Sequence, residues 1–280
     1  MNYMNIFKKF IWFISHHTPN FRGKKRLVNF LTRTKKAKEI IISRQNVNWN
    51  IYGKDIIEFN IAASYHDLNV INSLTNQISK KNINIFWDVG ANIGSTSLPI
   101  AKKFPNLKLK LFEPSPAVMG TLIQNLTINT ELIKQCNLYC IALSNQNNLD
   151  KLFTSNEVFN SGVGGLGLSS NREKFGVYLN TYTGDYLIKE FGLEIPQIIK
   201  IDVEGFEIEV LEGLKETIKK YKPIILFEHS LKRLKVRDRA KEEVFVFLKF
   251  FGYKFYETHN NQQIFESNLN KNLDIIALTK

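Results

Sequence analysis

The stretch from Asn84 to Gly94 reads Asn-Ile-Phe-Trp-Asp-Val-Gly-Ala-Asn-Ile-Gly. An apolar run of strand length ends in a carboxylate and a glycine turn, and Ser95-Thr96 then opens a helix. A strand that turns this sharply into a helix brings backbone close to whatever lies at its carboxyl end, where open α/β sheets hold their ligands. Gly90 permits the tight turn and Gly94 lets the helix pack close to the strand. The spacing differs from the G-x-G-x-x-G of dinucleotide binders. Asp88 at the strand end would repel a pyrophosphate and suits a cationic ligand.

A second carboxylate extends the pattern. Leu107–Phe112 alternates like a strand and ends at Glu113-Pro114, with Glu113 25 residues after Asp88, one β-α-β step later. An acid at that strand end can accept hydrogen bonds from both hydroxyls of a ribose. Pro114 stops the strand, and Ser115-Pro116 starts the next helix with proline at its first position. One acid suited to a cationic group and one suited to a ribose together point to S-adenosylmethionine as cofactor.

The rest of the chain reads as further α/β alternation. Asn137–Leu143 is expected as the third strand, Leu149–Thr154 as an added strand, and Ser161–Gly167, rich in glycine, as a loop over an acceptor site or an ordinary surface loop. Ile198–Ile201 reads as a buried strand ending at Asp202, with Glu204 and Glu207 opening a helix whose dipole favours acids in its first turn. Pro223–Phe227 is a strand ending in Glu228-His229, residues 238–251 a helix, and Phe255-Tyr256 and Ile275–Leu278 the last two strands. Upstream, Val47–Tyr52 and Asp55–Phe59 suggest a hairpin around Gly53-Lys54, and residues 65–80 a helix with Leu68, Ile71, Leu74 and Ile78 on one side. The expected organisation is a basic amphipathic extension over 1–45, a hairpin and helix cap over 46–82, and a catalytic domain over 83–280.

The net charge of +12 is concentrated at the start: residues 1–45 hold eleven Lys/Arg and one acid, Glu39, leaving the remainder near neutral. Ile6, Phe7, Phe10, Ile11, Phe13 and Ile14 share one helical face, with Lys8 and Lys9 on the other. Such a stretch suits the surface of an anionic membrane or packing on the domain with its basic side in water, and a basic arm is also compatible with nucleic acid. Nucleic acid is disfavoured because the catalytic part is nearly neutral. There is no run of eighteen or more apolar residues of the kind that spans a bilayer. Cys136 and Cys140 form no paired framework, in keeping with a reducing cytosol. A cytoplasmic location is expected, peripheral to the inner face of the membrane if the arm binds it.

The chain resembles the FkbM family of S-adenosylmethionine-dependent methyltransferases. The residues that carry the resemblance are Asp88–Gly94, Phe112–Pro116, Ala142–Ser144, Ile199–Leu214 and Phe227–His229, in the family's order and spacing. It covers roughly residues 83–230 and excludes residues 1–60. It implies a class I methyltransferase fold, Rossmann-like, with a seven-stranded, mostly parallel sheet and helices on both faces. It also implies O-methylation, often of sugar hydroxyls in glycans or polyketide-type products. Carried over by position, Asp88, Gly90, Ala91, Asn92, Gly94 and Ser95 would line the methionine part of the cofactor. Glu113 would hold the ribose, Pro114 and Ser115 would border the adenine, and Ala142, Leu143 and Ser144 would close its far side. Asp202 would face the transferring methyl group.

A sugar hydroxyl is a poor nucleophile, so a base that takes its proton helps. His229 is the first candidate, since a neutral imidazole is available near pH 7; Asp202 and Glu204 are the alternatives. Asp202, Glu204 and Glu228 could also hold a divalent metal, but no diagnostic ligand spacing is present and no metal is expected. An NAD-dependent oxidoreductase or epimerase on a related sheet would require the missing G-x-G-x-x-G motif. A non-catalytic interaction module is disfavoured by the acids at 88, 113 and 202. The acceptor expected is a sugar or glycan, such as a surface polysaccharide.

Overall fold

The structure, a computed structural model of the 280-residue chain, describes residues 40–51, 61, 67–153, 165–166 and 176–279. The chain opens with an antiparallel hairpin, β1 (Ile40–Arg44) and β2 (Val47–Ile51), followed by α1 (Leu68–Lys81). Then come β3 (Ile85–Val89), α2 (Ser97–Lys103), β4 (Lys108–Phe112), α3 (Pro116–Thr127) and β5 (Cys136–Tyr139). A second group follows: β6 (Ala142–Leu143), β7 (Asn148–Phe153), β8 (Gly165–Leu166), β9 (Gly176–Tyr182) and α4 (Gly184–Phe191). The chain then runs through β10 (Ile198–Ile201), α5 (Glu207–Glu212), α6 (Lys215–Tyr221), β11 (Ile224–His229), α7 (Leu231–Val236) and α8 (Glu243–Phe250). It closes with β12 (Lys254–Glu257), β13 (Gln263–Ile264) and β14 (Leu273–Leu278).

The central sheet has the order β13-β12-β14-β11-β10-β3-β4-β5. From β11 to β5 every neighbour is parallel, and β14, β12 and β13 extend the other edge antiparallel. The sheet has eight strands rather than seven, because the two-residue β13 pairs with β12 at the edge. Parallel strands covered on both faces carry near-continuous apolar runs, and all four residues of β10 are buried. Successive side chains alternate between faces. Phe86, Ile198 and Leu226 join one core with α1, α2, α3 and the β1-β2 hairpin. Trp87, Val89, Ile199, Ile201, Ile225 and Phe227 join a second core with α4, α5, α6 and α8 on the other face.

Several expectations are revised. Val47–Ile51 pairs with the strand before it, Ile40–Arg44, through a two-residue turn at Gln45-Asn46; the expected partner, Asp55–Phe59, lies outside the described residues. Both turn residues have positive φ, 52° and 61°, the backbone of the two-residue turn that matches strand twist. The hairpin and α1 share one core with the central sheet. The expected strand 137–143 is broken after Tyr139, and Ala142-Leu143 crosses to a separate four-stranded sheet, β6-β9-β7-β8. The helix expected over 238–251 starts only at Glu243, and residues 231–236 form a helix of their own. The helix expected from Glu204 begins at Glu207. Residues 1–39 and most of the glycine-rich 155–170 loop lie outside the described residues, apart from β8 against β7. Among the described residues, no helix is long and apolar enough to cross a membrane.

Candidate active site

The carboxyl ends of β3, β4 and β10 meet at one edge of the central sheet. The turn after β3 is fixed from both sides. Gly90 and Ala91 donate their backbone N–H groups to the Phe112 carbonyl, each at 2.9 Å, and Asp202 donates its own to the Val89 carbonyl at 2.9 Å. Gly90 has φ +82°, and a Cβ there would lie 1.9 Å from the Asp202 carbonyl oxygen. The turn is therefore in direct backbone contact with the residue after β10, an approach only glycine allows.

Asp88 is fully buried. Its carboxylate accepts from the Ser97 hydroxyl at the first residue of α2 and from Lys200 Nζ at 3.3 Å. Burial pushes its carboxyl up, against the pull of Lys200 and Ser97. With no exposed surface, Asp88 shapes the turn from behind. Glu113 works differently. Its Oε2 accepts from the Asn92 N–H at 3.1 Å and its Oε1 from the Ser115 N–H at 2.9 Å. One carboxylate thus fixes the turn after β3 to the turn after β4, and each oxygen keeps a further lone pair. Burial pushes its carboxyl up to about 7. Ser115 caps α3 through Val118 N–H. Beside these turns, the ring of Tyr139 stacks on Phe112 at 4.9 Å and the Cys140 thiol lies 3.9 Å from the Pro114 carbonyl. Ala142, Leu143 and Ser144 follow, buried, with the Ser144 N–H donated to Tyr182.

Of the residues nominated for the cofactor, Asp88, Ala91, Gly94, Ser95, Glu113, Ala142, Leu143 and Ser144 are buried. Gly90, Asn92, Pro114, Ser115 and Asp202 keep exposed surface. Asp202 leads on to a second carboxylate group. Its side chain is 39% exposed, and Oδ2 lies 3.2 Å from Lys200 Nζ. Glu204 sits in a left-handed turn at φ 58° and pairs with Arg233. Glu207 accepts backbone N–H groups from Gly205 at 3.1 Å and Val203 at 3.3 Å. Arg237 stacks on the Phe206 ring at 3.2 Å and pairs with Glu209 at 2.6 Å, so the segment after β11 clamps this turn. Burial pushes Glu204 and Glu207 up to about 7. Burial, together with the charges of Asp202, Glu204, Glu207 and Asp274, pushes Glu228 up to about 8.

His229 stands apart from this group. It continues the face of Ile225 and Phe227, its ring meets Phe245 edge-on at 6.2 Å, and its Nε2 lies 3.3 Å from the Leu269 carbonyl. Only 3% of it is exposed, and burial lowers its pKa. Asp88 and Lys200 lie on the opposite face of the sheet. Among the described residues no group of His, Cys, Asp and Glu is arranged to hold a metal ion. Sequence reasoning passed over Lys200, whose place in an apolar strand gave no sign of its two carboxylate partners, and also Asn125 of α3. Asn125 is completely buried, accepts from Asn50 N–H at 3.1 Å and donates to the Ile93 carbonyl at 3.0 Å, tying the hairpin to the turn after β3.

The donor set fits an S-adenosylmethionine-type ligand. Glu113 offers an oriented carboxylate to a ribose, the glycine turn leaves room for close approach, and the acids favour positive charge over phosphate. A parallel α/β sheet with this arrangement at its carboxyl edge is the class I methyltransferase fold.

Residues 88–255 match the Methyltransferase FkbM domain, more than half of the chain. The chain belongs to that family. The chain is 30% identical over 154 residues to methyltransferase sdnD of Sordaria araneosa, covering 46% of this chain and 60% of the relative. It is 25% identical over 146 residues to the hexuronic acid methyltransferase AglP of Haloferax volcanii, covering 52% of this chain and 56% of the relative. The chain thus spans less than two thirds of the length of either. A solved FkbM methyltransferase from Methylobacillus flagellatus superimposes with TM-score 0.45 at 13% identity, covering 70% of this chain and 44% of that one.

Proposed function

We propose that the protein transfers a methyl group to a hydroxyl of a sugar or glycan, with Asp202 accepting the hydroxyl proton. When bound, the cofactor supplies an electrophilic methyl carbon on a sulfonium that leaves as a neutral thioether. The acceptor oxygen gains that methyl group and loses its proton. The observation that carries the reading is the position of Asp202. Its backbone carbonyl packs against the glycine turn, and its half-exposed carboxylate, just past the end of β10, lies 3.2 Å from a buried ammonium. Glu204 is engaged by Arg233 and serves to shape the acceptor side. His229 is assigned a structural role, because it faces the other core. The sugar acceptor is supported by the name of the Haloferax relative, a hexuronic acid methyltransferase. The basic, aromatic stretch within residues 1–45 is assigned to an anionic membrane surface; removing residues 1–30 should abolish retention on anionic liposomes at low salt, and unchanged retention would contradict this.

The test is transfer of labelled methyl from S-adenosylmethionine to a panel of hexoses, uronic acids, nucleotide sugars and lipid-linked sugars. The expected product is an alkali-stable methyl ether. Asp202→Asn should lose on the order of 10²–10⁴-fold in turnover, the usual range for a lost proton acceptor, while His229→Gln stays within a few-fold of the parent. An alkali-labile ester would move the acceptor from hydroxyl to carboxylate. Label on nucleic acid and on no sugar would overturn the reading.

A further inference from the structure

Lys200 occupies the middle of β10 between Ile199 and Ile201 and is 4% exposed. A lone ammonium in such a strand would be strongly disfavoured, since burying a charge is costly unless it is paired. Here it is paired twice. Asp88 stands beside it in register on β3 with Oδ1 at 3.3 Å, and Asp202 lies two residues on with Oδ2 at 3.2 Å. Burial opposes its charge, but Asp202, Asp88 and Asp67 outweigh that and hold the ammonium protonated. The ion chain has fixed ends. Asp88 is bonded to Ser97 of α2, and the Asp202 backbone is bonded to Val89 and packed on Gly90. One cation thus connects the turn that shapes the cofactor site with the acid on the acceptor side.

We propose that Lys200 is a positioning residue for methyl transfer, setting a fixed buried charge against the Asp202 carboxylate and holding it in one orientation so that it can take the acceptor proton. This rests on the assignment of Asp202 as proton acceptor. The surroundings explain the need for such a device. The ionisable groups facing this end of the sheet include Asp88 from β3, Glu113 after β4, Asp67 before α1, Glu204 and Glu207 around the start of α5, Glu228 from β11 and Asp274 from β14. Arg233 of α7 is paired with Glu204. Carboxylates gathered this closely raise one another's proton affinity. Burial first, and neighbouring acids after it, raise Glu204, Glu207 and Glu228; the Asp202 carboxylate lies 3.2 Å from the buried ammonium.

The experiment is the pH dependence of kcat at saturating cofactor and acceptor for the full chain and for Lys200→Met, Lys200→Arg and Asp202→Asn. Losing an opposite charge at this distance moves a carboxyl by about 1–3 pH units. The acid limb of Lys200→Met should rise by that amount, so that turnover falls most steeply in acidic buffer and is largely recovered in alkaline buffer. Lys200→Arg, which keeps the charge, should hold the limb near its parent position. Should the methionine variant fail to fold, Lys200→Gln, neutral but hydrogen-bonding, carries the same expectation. A loss that is equal at every pH, or no loss, would overturn the proposal. Full turnover by Asp202→Asn would overturn the assignment of the base instead, whereas an inactive Asp202→Asn beside an unshifted Lys200→Met limb would overturn the role of Lys200 alone.

Discussion

Gly90→Ala tests the contact on which the site is built. The added Cβ would lie 1.9 Å from the Asp202 carbonyl oxygen and 2.9 Å from its carbon. Carbon and oxygen ordinarily meet at roughly 3.3 Å or more, so the turn or β10 must retreat by about 1.4 Å. Neither is free to do so, because Gly90 and Ala91 are bonded to Phe112 and Asp202 to Val89. Alanine at φ +82° also carries a left-handed penalty of about 1–2 kcal/mol, and overpacking adds about 1–3 kcal/mol. The sum, about 2–5 kcal/mol, corresponds to a fall in Tm on the order of 10 °C for a chain of this size. Displacement of the acid by about 1 Å should cost on the order of 10²-fold in kcat/KM. Gly192→Ala is the control. It has φ +67°, but no atom lies within 4 Å of the added carbon, so only the left-handed penalty applies and turnover is kept. Thermal melts and methyl-transfer kinetics of both variants decide the matter. A Gly90→Ala protein that melts with its parent and turns over normally would refute the reasoning.

Two further outcomes follow from buried polar groups. Glu113 and Glu207 sit at about 7 in the folded chain against an ordinary 4.5, and Glu228 at about 8. A raised carboxyl contributes stability that is fully present below the unfolded value and lost as pH rises through the folded one. The cofactor-free protein should therefore lose this contribution between pH 4.5 and 8, read as a falling Tm that Glu113→Gln partly flattens; a Tm that climbs throughout that window in both proteins would contradict it. Asn125→Ala removes one acceptor and one donor from fully buried partners, which at about 1–3 kcal/mol per orphaned group should cost on the order of 3 kcal/mol by denaturant titration. A cost below about 1 kcal/mol, the net worth of a single ordinary hydrogen bond, would show that water replaces both bonds.

The central frame of this protein is legible because its signals are local. Asp88-Val89-Gly90, Glu113-Pro114 and Asp202 each end an apolar run, and a run ending in an acid and a turn residue needs no tertiary knowledge to be placed. The misreadings arise where tertiary pairing decides. Residues 137–143 carry no glycine or proline, so nothing local announces that Ala142-Leu143 leaves β5 for a second sheet. Gly53 drew the hairpin turn away from Gln45-Asn46, although asparagine tolerates the left-handed backbone found there. His229 could have been placed by alternation alone, as it is two residues from Phe227 and four from Ile225, both on the face away from Asp88. Lys200 could not: a lysine between isoleucines reads as an interruption until Asp88 and Asp202 are seen on either side of it.

The most direct measurement is a calorimetric titration of S-adenosylmethionine into the purified chain and into Glu113→Gln. The account predicts one site per chain and affinity weakened on the order of tenfold or more in the variant. There an amide nitrogen would face a backbone N–H that now meets a carboxylate, at about 1–3 kcal/mol per lost partner. Equal affinity in a correctly folded variant would contradict the placement of the cofactor between the turns after β3 and β4.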